Sequence, residues 1–268
     1  MASVAWRRLS LRGLALFYLL AVVIGPVAIV ARRTFDGGFG HVWSTLGDPA
    51  TVHAFRITLE IAAIAVPINT VFGVAVALLV VRRRFPLKGV LNAFIDLPLA
   101  LSPVVVGLAL FLLYGRGGWL GDWFSRHGIQ ILFALPSMVL ATVFVSLPFV
   151  AREVVPTLRE IGDEQEQAAR TLGAGGWQTF RRITLPSIRW AVIYGVVLTS
   201  ARCLGEYGAV AIVSGRIQGQ TETATLRVED RYDNFDLSGA YAISIVLALS
   251  AVLVLAAMTI LRPREESA

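Results

Sequence analysis

Glu166-Gln-Ala-Ala-Arg-Thr-Leu-Gly173, with Ile183-Thr-Leu-Pro186 ten residues beyond the glycine, is a polar stretch lodged between long apolar runs. Residues 160–186 read as two short helices around a glycine corner. Glu160 to Leu172 holds good helix formers, with acids at its start and Arg170 near its end, an order that complements a helix dipole. Gly173 supplies the stop. Trp177 to Ile183 is a second helical stretch, expected to end ahead of Leu185-Pro186, because a proline restricts the residue before it. Ala168 and Ala169 leave a low-relief face that a partner can approach closely, with Glu164, Glu166 and the Arg181–Arg182 pair placed for rim contacts. The same features also suit an amphipathic helix lying on a bilayer surface.

The surroundings of this loop decide the class. Of 268 residues, 56% are hydrophobic and 16% charged, and the mean hydropathy is +0.70, well outside the balance of soluble proteins. The apolar residues gather into six runs, at about 13–31, 57–81, 90–114, 131–151, 188–213 and 239–261, of the length that crosses a bilayer. Of the 24 basic residues, 15 lie at the N-terminus (Arg7, Arg8, Arg12), around Arg82, Arg83, Arg84 and Lys88, in 152–189, and in the tail. The alternate loops hold 8, and Arg202 lies within a run. With 7 acids in the first set and 8 in the second, the net charges are +8 and zero. The positive-inside rule then places both termini and the 152–187 loop in the cytoplasm. The first run has the basic start of a signal peptide, but Arg32 and Arg33 follow it without a small-residue cleavage pattern, so it reads as a retained signal-anchor.

Several chemistries find no support. The pI near 10.1 does not indicate nucleic acid, since the basic residues border apolar runs and do not form one patch. The single cysteine, Cys203, reads as packing. His41, His53 and His127 are spaced singly, read as surface residues and do not match metal-ligand spacing. No catalytic acid–base–nucleophile set, metal cluster or Walker-type phosphate loop emerges, so any ATP must be bound by another polypeptide. Pro67, Pro98, Pro103, Pro136 and Pro148 point to a bundle of bent helices. Asp96 reads as an interface or capping residue near the cytoplasmic surface. The outer loop 214–238 mixes Arg216, Arg227 and Arg231 with five acids, as a protein contact or a solvated face would.

Ala201-Arg-Cys-Leu-Gly-Glu-Tyr-Gly-Ala209 carries charge within an apolar run. A helix brings Arg202 and Glu206, four apart, to one face. In hydrocarbon they are best placed against each other, a neighbouring helix or an aqueous cavity, as a structural pair or as part of a gate. Gly205 and Gly208 permit close helix approach or bending beside Tyr207.

The spacing Gln167-Ala168-Ala169, three residues, Gly173, nine residues, Ile183, one residue, Leu185-Pro186 resembles the EAA loop of the inner-membrane permeases of ABC importers. One departure is visible: Gln167 stands where the family motif has its acid, and Glu166 precedes it. Leu204-Gly-Glu-Tyr-Gly-Ala209, with Ser214-Gly-Arg and Gln220-Thr-Glu-Thr, resembles the sulfate/molybdate branch. Phe94-Ile-Asp-Leu-Pro98, Ser102-Pro-Val-Val-Val-Gly107 and the stretch from Gly173 to Pro186 are similar to the W-type subunit of sulfate/thiosulfate importers, over residues 10–262. The resemblance implies an all-α, polytopic six-helix transmembrane permease domain spanning 1–268, in a bacterial inner membrane. It implies that the loop is a coupling helix seated in an ATPase subunit present in two copies, which binds the ATP and Mg. The further partners implied are a T-type permease, forming a heterodimer, and an extracytoplasmic sulfate-binding protein that selects the anion. The competing readings are a molybdate or tungstate permease built from identical chains, a secondary transporter, for which no inverted repeat is apparent, and a membrane enzyme.

Overall fold

Prolines set where several helices of this chain begin. Pro49, Pro103 and Pro136 each occupy the first or second helical position, where a missing N–H is not needed and the ring fixes a helical φ. The computed structural model describes residues 13–14, 17–18 and 20–261, which form helices and no strand; Arg7, Arg8, Arg12, Arg262 and Arg264 lie outside the described residues. A π turn at Leu20–Ile24 leads into α1 (Gly25–Thr34), followed by α2 (Gly38–Leu46) and the long α3 (Pro49–Arg82). Next come α4 (Lys88–Ala100), α5 (Pro103–Tyr114) and the short α6 (Gly121–Arg126). The long helices α7 (Leu135–Ile161) and α9 (Gly176–Leu204) flank α8 (Glu164–Thr171). The order closes with α10 (Gly208–Val213), α11 (Ala224–Asp233) and α12 (Leu237–Leu261).

Among the described residues, four helices (α3, α7, α9 and α12) are long and apolar enough to cross a membrane, and the pair α4–α5 makes a fifth if it counts as one span. The run at 13–31 lies partly outside the described residues. Helix bounds depart from the apolar runs for physical reasons. The 34 residues of α3 extend about 50 Å at 1.5 Å per residue, beyond the ~30 Å of a hydrocarbon core, so polar ends project from it. The run at 90–114 bends by 109°. Leu101 and Ser102 are extended there, because Pro103 disfavours helical geometry in its predecessor. Helix α7 continues through Pro148 and Pro156 to Ile161, into the segment read as loop from 152 onward.

The expected helix end ahead of Leu185-Pro186 is not observed. Instead α9 runs from Gly176 through Pro186, and a π turn at Phe180–Thr184 makes this possible. The Leu185 N–H bonds to the Phe180 carbonyl, one residue further back than in an α-helix. The wider turn relieves the clash that a proline ring would make with the carbonyl four residues earlier.

Three long helices meet at Val150. A Cβ on Gly73 of α3 would lie 2.7 Å from the Val150 Cβ, and one on Gly195 of α9 would lie 2.7 Å from the Val150 Cα. Absent side chains on both neighbours therefore let α3, α7 and α9 close on one another, as small residues do in membrane bundles. Val74, Ala77, Val154, Leu158, Ile188 and Ala191 fill the space between this contact and the α8 end of the bundle. Asn69 of α3 donates both amide hydrogens across to α7, to the Val143 carbonyl at 3.1 Å and to Ser146 Oγ at 2.8 Å, so its buried Nδ2 is bonded.

The opposite end is fastened by charge. Asp48, just before α3, takes Arg227 at 2.6 Å and Arg231 at 2.8 Å. Asp236, just before α12, takes Arg231 at 2.9 Å and His41 Nε2 at 2.8 Å. His41 thus has a specific partner, and the loop mixture of 214–238 resolves into a clasp joining α2, α3, α11 and α12. Burial alone would raise both carboxyls, but the hydrogen bond and charge of Arg227 hold Asp48 below its ordinary 3.8. The Gly239 N–H, His41 and Arg231 do the same for Asp236.

Two outcomes are expected. Gly195→Val forces a branched side chain onto the α7 backbone, where overpacking costs about 1–3 kcal/mol. In detergent it is expected to lower the melting temperature by several degrees, while Gly40→Ala, with open space around the position, does not. Because both carboxyls titrate below 3.8 in the folded protein, their stabilisation is complete above that pH and drains as pH falls through their lowered values. Glu222, which burial raises, has the opposite sign. Melting curves of Asp48→Asn are therefore expected to show a shallower acid limb than those of the parent below pH about 4.

Candidate functional site

Helix α7 stops at Ile161 because Gly162 takes φ +73°, a left-handed geometry that a side chain would oppose. One helix over Glu160 to Leu172 is therefore not formed: α8 is a separate unit of eight residues. It ends in a Schellman turn. Gly173 has φ +87°, its N–H reaches the Arg170 carbonyl at 3.0 Å, and the Ala174 N–H reaches the Ala169 carbonyl at 3.0 Å.

This corner sorts the loop residues onto two sides. Gln167 and Ala168 are exposed, Ala169 is half-buried, and beyond the corner Leu185 and Pro186 are exposed while Ile183 is half-buried. Leu172 is 88% exposed and Trp177, whose ring lies beside that of Phe180 at 5.5 Å between centroids, is 72% exposed, so two large apolar side chains face outward at the tip of an otherwise polar loop. Glu166 lies on the other side, 7% exposed. It does not serve as a rim contact beside Glu164, because residues two apart on a helix do not share a face.

Glu166 is held from two directions. Arg82, the last residue of α3, donates from Nε to both carboxylate oxygens at 3.2 and 3.1 Å, and from Nη2 to Oε1 at 3.1 Å. Thr184 Oγ1 in α9 donates to the same Oε1 at 2.9 Å. The guanidinium also donates to the Leu158 carbonyl at 3.0 Å and to the Gly162 carbonyl at 2.7 Å, where α7 runs out of N–H partners. With side chains only 15% and 9% exposed, removing one partner of this pair is expected to cost about 3–5 kcal/mol. In the sequence Arg82 stands out only as one of the basic residues that mark orientation. No local spacing could have joined it to Glu166, 84 positions away.

At the other end of α9, Arg202 Nη2 and Glu206 Oε2 lie 2.7 Å apart, with side chains 29% and 3% exposed. Glu206 Oε1 accepts from the Ala209 N–H at 2.9 Å, so the carboxylate also caps α10. Each oxygen has a use inside the fold, and the arginine is largely neutralised. The helix breaks between them: α9 ends at Leu204, with Gly205 as its cap, and α10 starts at Gly208. Gly208 admits Pro103, whose Cβ would lie 3.0 Å from an added Cβ, whereas Gly205 has nothing nearer than 3.8 Å. Close approach is thus a property of Gly208. Tyr207 turns away, donating its hydroxyl to Glu229 Oε1 at 2.6 Å. With Thr225, Tyr232, Tyr241 and Ser244 it lines an open cleft of about 420 Å³ between α11 and α12.

Comparison with known proteins agrees with this architecture. Residues 69–267 match the family described as binding-protein-dependent transport system inner membrane component. The sulfate transport system permease protein CysW of Synechococcus elongatus is 51% identical over 89% of this chain and 84% of its own. That of Escherichia coli is 42% identical over 98% and 90%, whereas the Escherichia coli CysT protein is 36% identical over 88% and 86%. Among solved structures, a bacterial ABC transporter involved in the import of alginate superimposes with TM-score 0.81 at 15% identity, over 98% of this chain and 96% of that one. A likeness at that identity speaks for the fold alone. The chain belongs to the binding-protein-dependent transport system inner membrane components, on the branch of the W-type sulfate permeases, and is a multi-pass protein of the bacterial inner membrane.

Proposed function

We propose that this chain is the W-type half of a heterodimeric permease that imports sulfate or thiosulfate, with α8 as the element that an ATPase on another polypeptide engages. The observation that carries the reading is the two-sided build of the loop. Glu166 anchors α8 inward, while Gln167, Ala168, Leu172 and Trp177 present a mixed polar and apolar face outward. A cleft in a partner would bury that apolar surface, at roughly 1.5–3 kcal/mol for each large side chain fully covered. The basic residues around this end favour the cytoplasmic side for it, and the reading puts both termini on that side with six crossings in all. The clasp of Asp48 and Arg227 then faces outward, toward a sulfate-binding protein.

Transport in this reading is alternating access. The loaded binding protein docks outside, ATP and Mg bound by the two ATPase subunits draw those subunits together, and α8 moves with them. The helix bundle opens outward to accept the dianion, and hydrolysis resets it. Arg202 and Glu206 brace the break between α9 and α10 at the gate, without forming an anion site, since the paired charges cancel. Anion choice rests on the binding protein. The relatives named for sulfate transport favour that substrate over molybdate or tungstate.

Co-purification with the T-type permease, the ATPase and the binding protein, followed by ATP-driven uptake of labelled sulfate, thiosulfate and molybdate in separate vesicle assays, tests the whole reading. Saturable sulfate or thiosulfate uptake that requires the T-type chain is expected. Molybdate uptake by a complex containing this permease alone would sink it. Gly173→Val, which places a branched residue at φ +87°, is expected to lower ATPase recovery and uptake at least tenfold while the chain still inserts. At the far end, Arg202→Glu is expected to abolish uptake, and the double change with Glu206→Arg to restore a measurable part of it, as the recovered ion pair requires.

A further inference from the structure

We propose that Arg82 is a positioning residue for energy coupling: through Glu166 it ties α8 to α3, so that movement of the loop reaches a helix to which the loop is not covalently joined. The inference rests on the reading of α8 as the ATPase-facing element and says how the motion leaves it. Helix α8 is connected through the chain to α7 and α9 only. Among the described residues, the hydrogen bonds between α3 and α8 all run from Arg82 to Glu166. The same guanidinium holds the Leu158 carbonyl of α7 and the Gly162 carbonyl just past its end, and the same carboxylate accepts Thr184 of α9. One arginine and one carboxylate therefore collect four helices into a node.

The node sits where a push on the outer face of α8 must pass. Gln167 and Ala168 face outward, and Glu166 lies behind them against the end of α3. Burial shields the pair from water and salt, which keeps it a firm connection and not an exchanging surface contact. Above the node, α3 is one helix from Arg82 back to Pro49, packed against α7 and α9 through Gly73 and Val150. At its other end Asp48 holds Arg227 and Arg231. A displacement delivered at Arg82 thus has a continuous solid path to the clasp that faces the binding protein.

The experiment uses the complete importer in proteoliposomes, with binding protein, and reads sulfate moved per ATP hydrolysed, beside complex yield and ATPase rate. Arg82→Gln and Glu166→Gln are expected to lower complex yield, as loss of a buried partner must, but the complexes that assemble are expected to hydrolyse ATP within threefold of the parent while sulfate moved per ATP falls at least tenfold. If Arg82→Gln loses assembly, Arg82→Lys is read in its place, since an ammonium cannot reproduce the guanidinium's fork to both Glu166 and the α7 carbonyls. In a Cys203→Ser background, Arg82→Cys with Glu166→Cys is expected to be uncoupled when reduced and to regain at least half the parent ratio when a short bifunctional thiol reagent joins the two positions. A ratio within twofold of the parent in the single variants, or a joined pair that stays uncoupled, overturns the proposal. Failure of the parent complex to hold its ATPase or to need ATP would instead count against the underlying coupling reading, so the two failures are told apart.

Discussion

Val150 has a glycine on either side, and that contact fixes how the rest of the bundle sits. With Gly73 and Gly195 lacking side chains, α3 and α9 both reach the α7 backbone. In a membrane, apolar side chains gain little by leaving lipid for a helix interface, so van der Waals fit at such contacts is a large part of what holds helices together. The closeness brings Arg82 within reach of the α7 carbonyls and of Glu166, and it sets Thr184 of α9 beside the same carboxylate. A loop of eight helical residues could not fix its own direction alone. Its orientation is inherited from the three long helices beneath it.

Charge inside and beside this bundle is consumed in building it. Arg202 faces Glu206, Arg82 faces Glu166, and Arg227 is shared among Asp48, Asp230 and Glu222. Each pairing lowers the penalty of keeping ions away from water. It also leaves no uncompensated cation among these three arginines to hold a dianion tightly. A permease that bound sulfate strongly within its helices would slow the release that transport needs.

Much of this was legible in the residues. Apolar runs, border arginines and the glycine at 173 point to a helical membrane protein with a structured polar loop. Arg202 and Glu206 were readable as one possible pair because they lie four apart, although the helix that spacing assumes ends at Leu204, between them. What escaped was set by distance in the chain or by competition between local rules. The proline rule predicts a helix end before Pro186, and the fold evades it with a π turn. Glu166 looked like a surface acid, since its neighbours Gln165 and Gln167 are polar, and only tertiary packing shows that its side faces α3. The 109° bend at Leu101 and Ser102 was signalled by Pro103, but a run of apolar letters conceals an angle.

The π turn at Phe180–Thr184 gives the spacing of the loop a further meaning. Each residue in an α-helix advances the side chains by about 100° around the axis, and a π turn carries one extra residue in its hydrogen-bonded loop. The residues between Gly173 and Ile183 therefore count out an angle as well as a length. They set the rotational phase with which α9 enters the bundle, bringing Thr184 round to Glu166 and Gly195 round to Val150. Seen this way, the stretch from the glycine corner to Leu185-Pro186 is the indexing mark that registers a polar loop against the apolar helices below it.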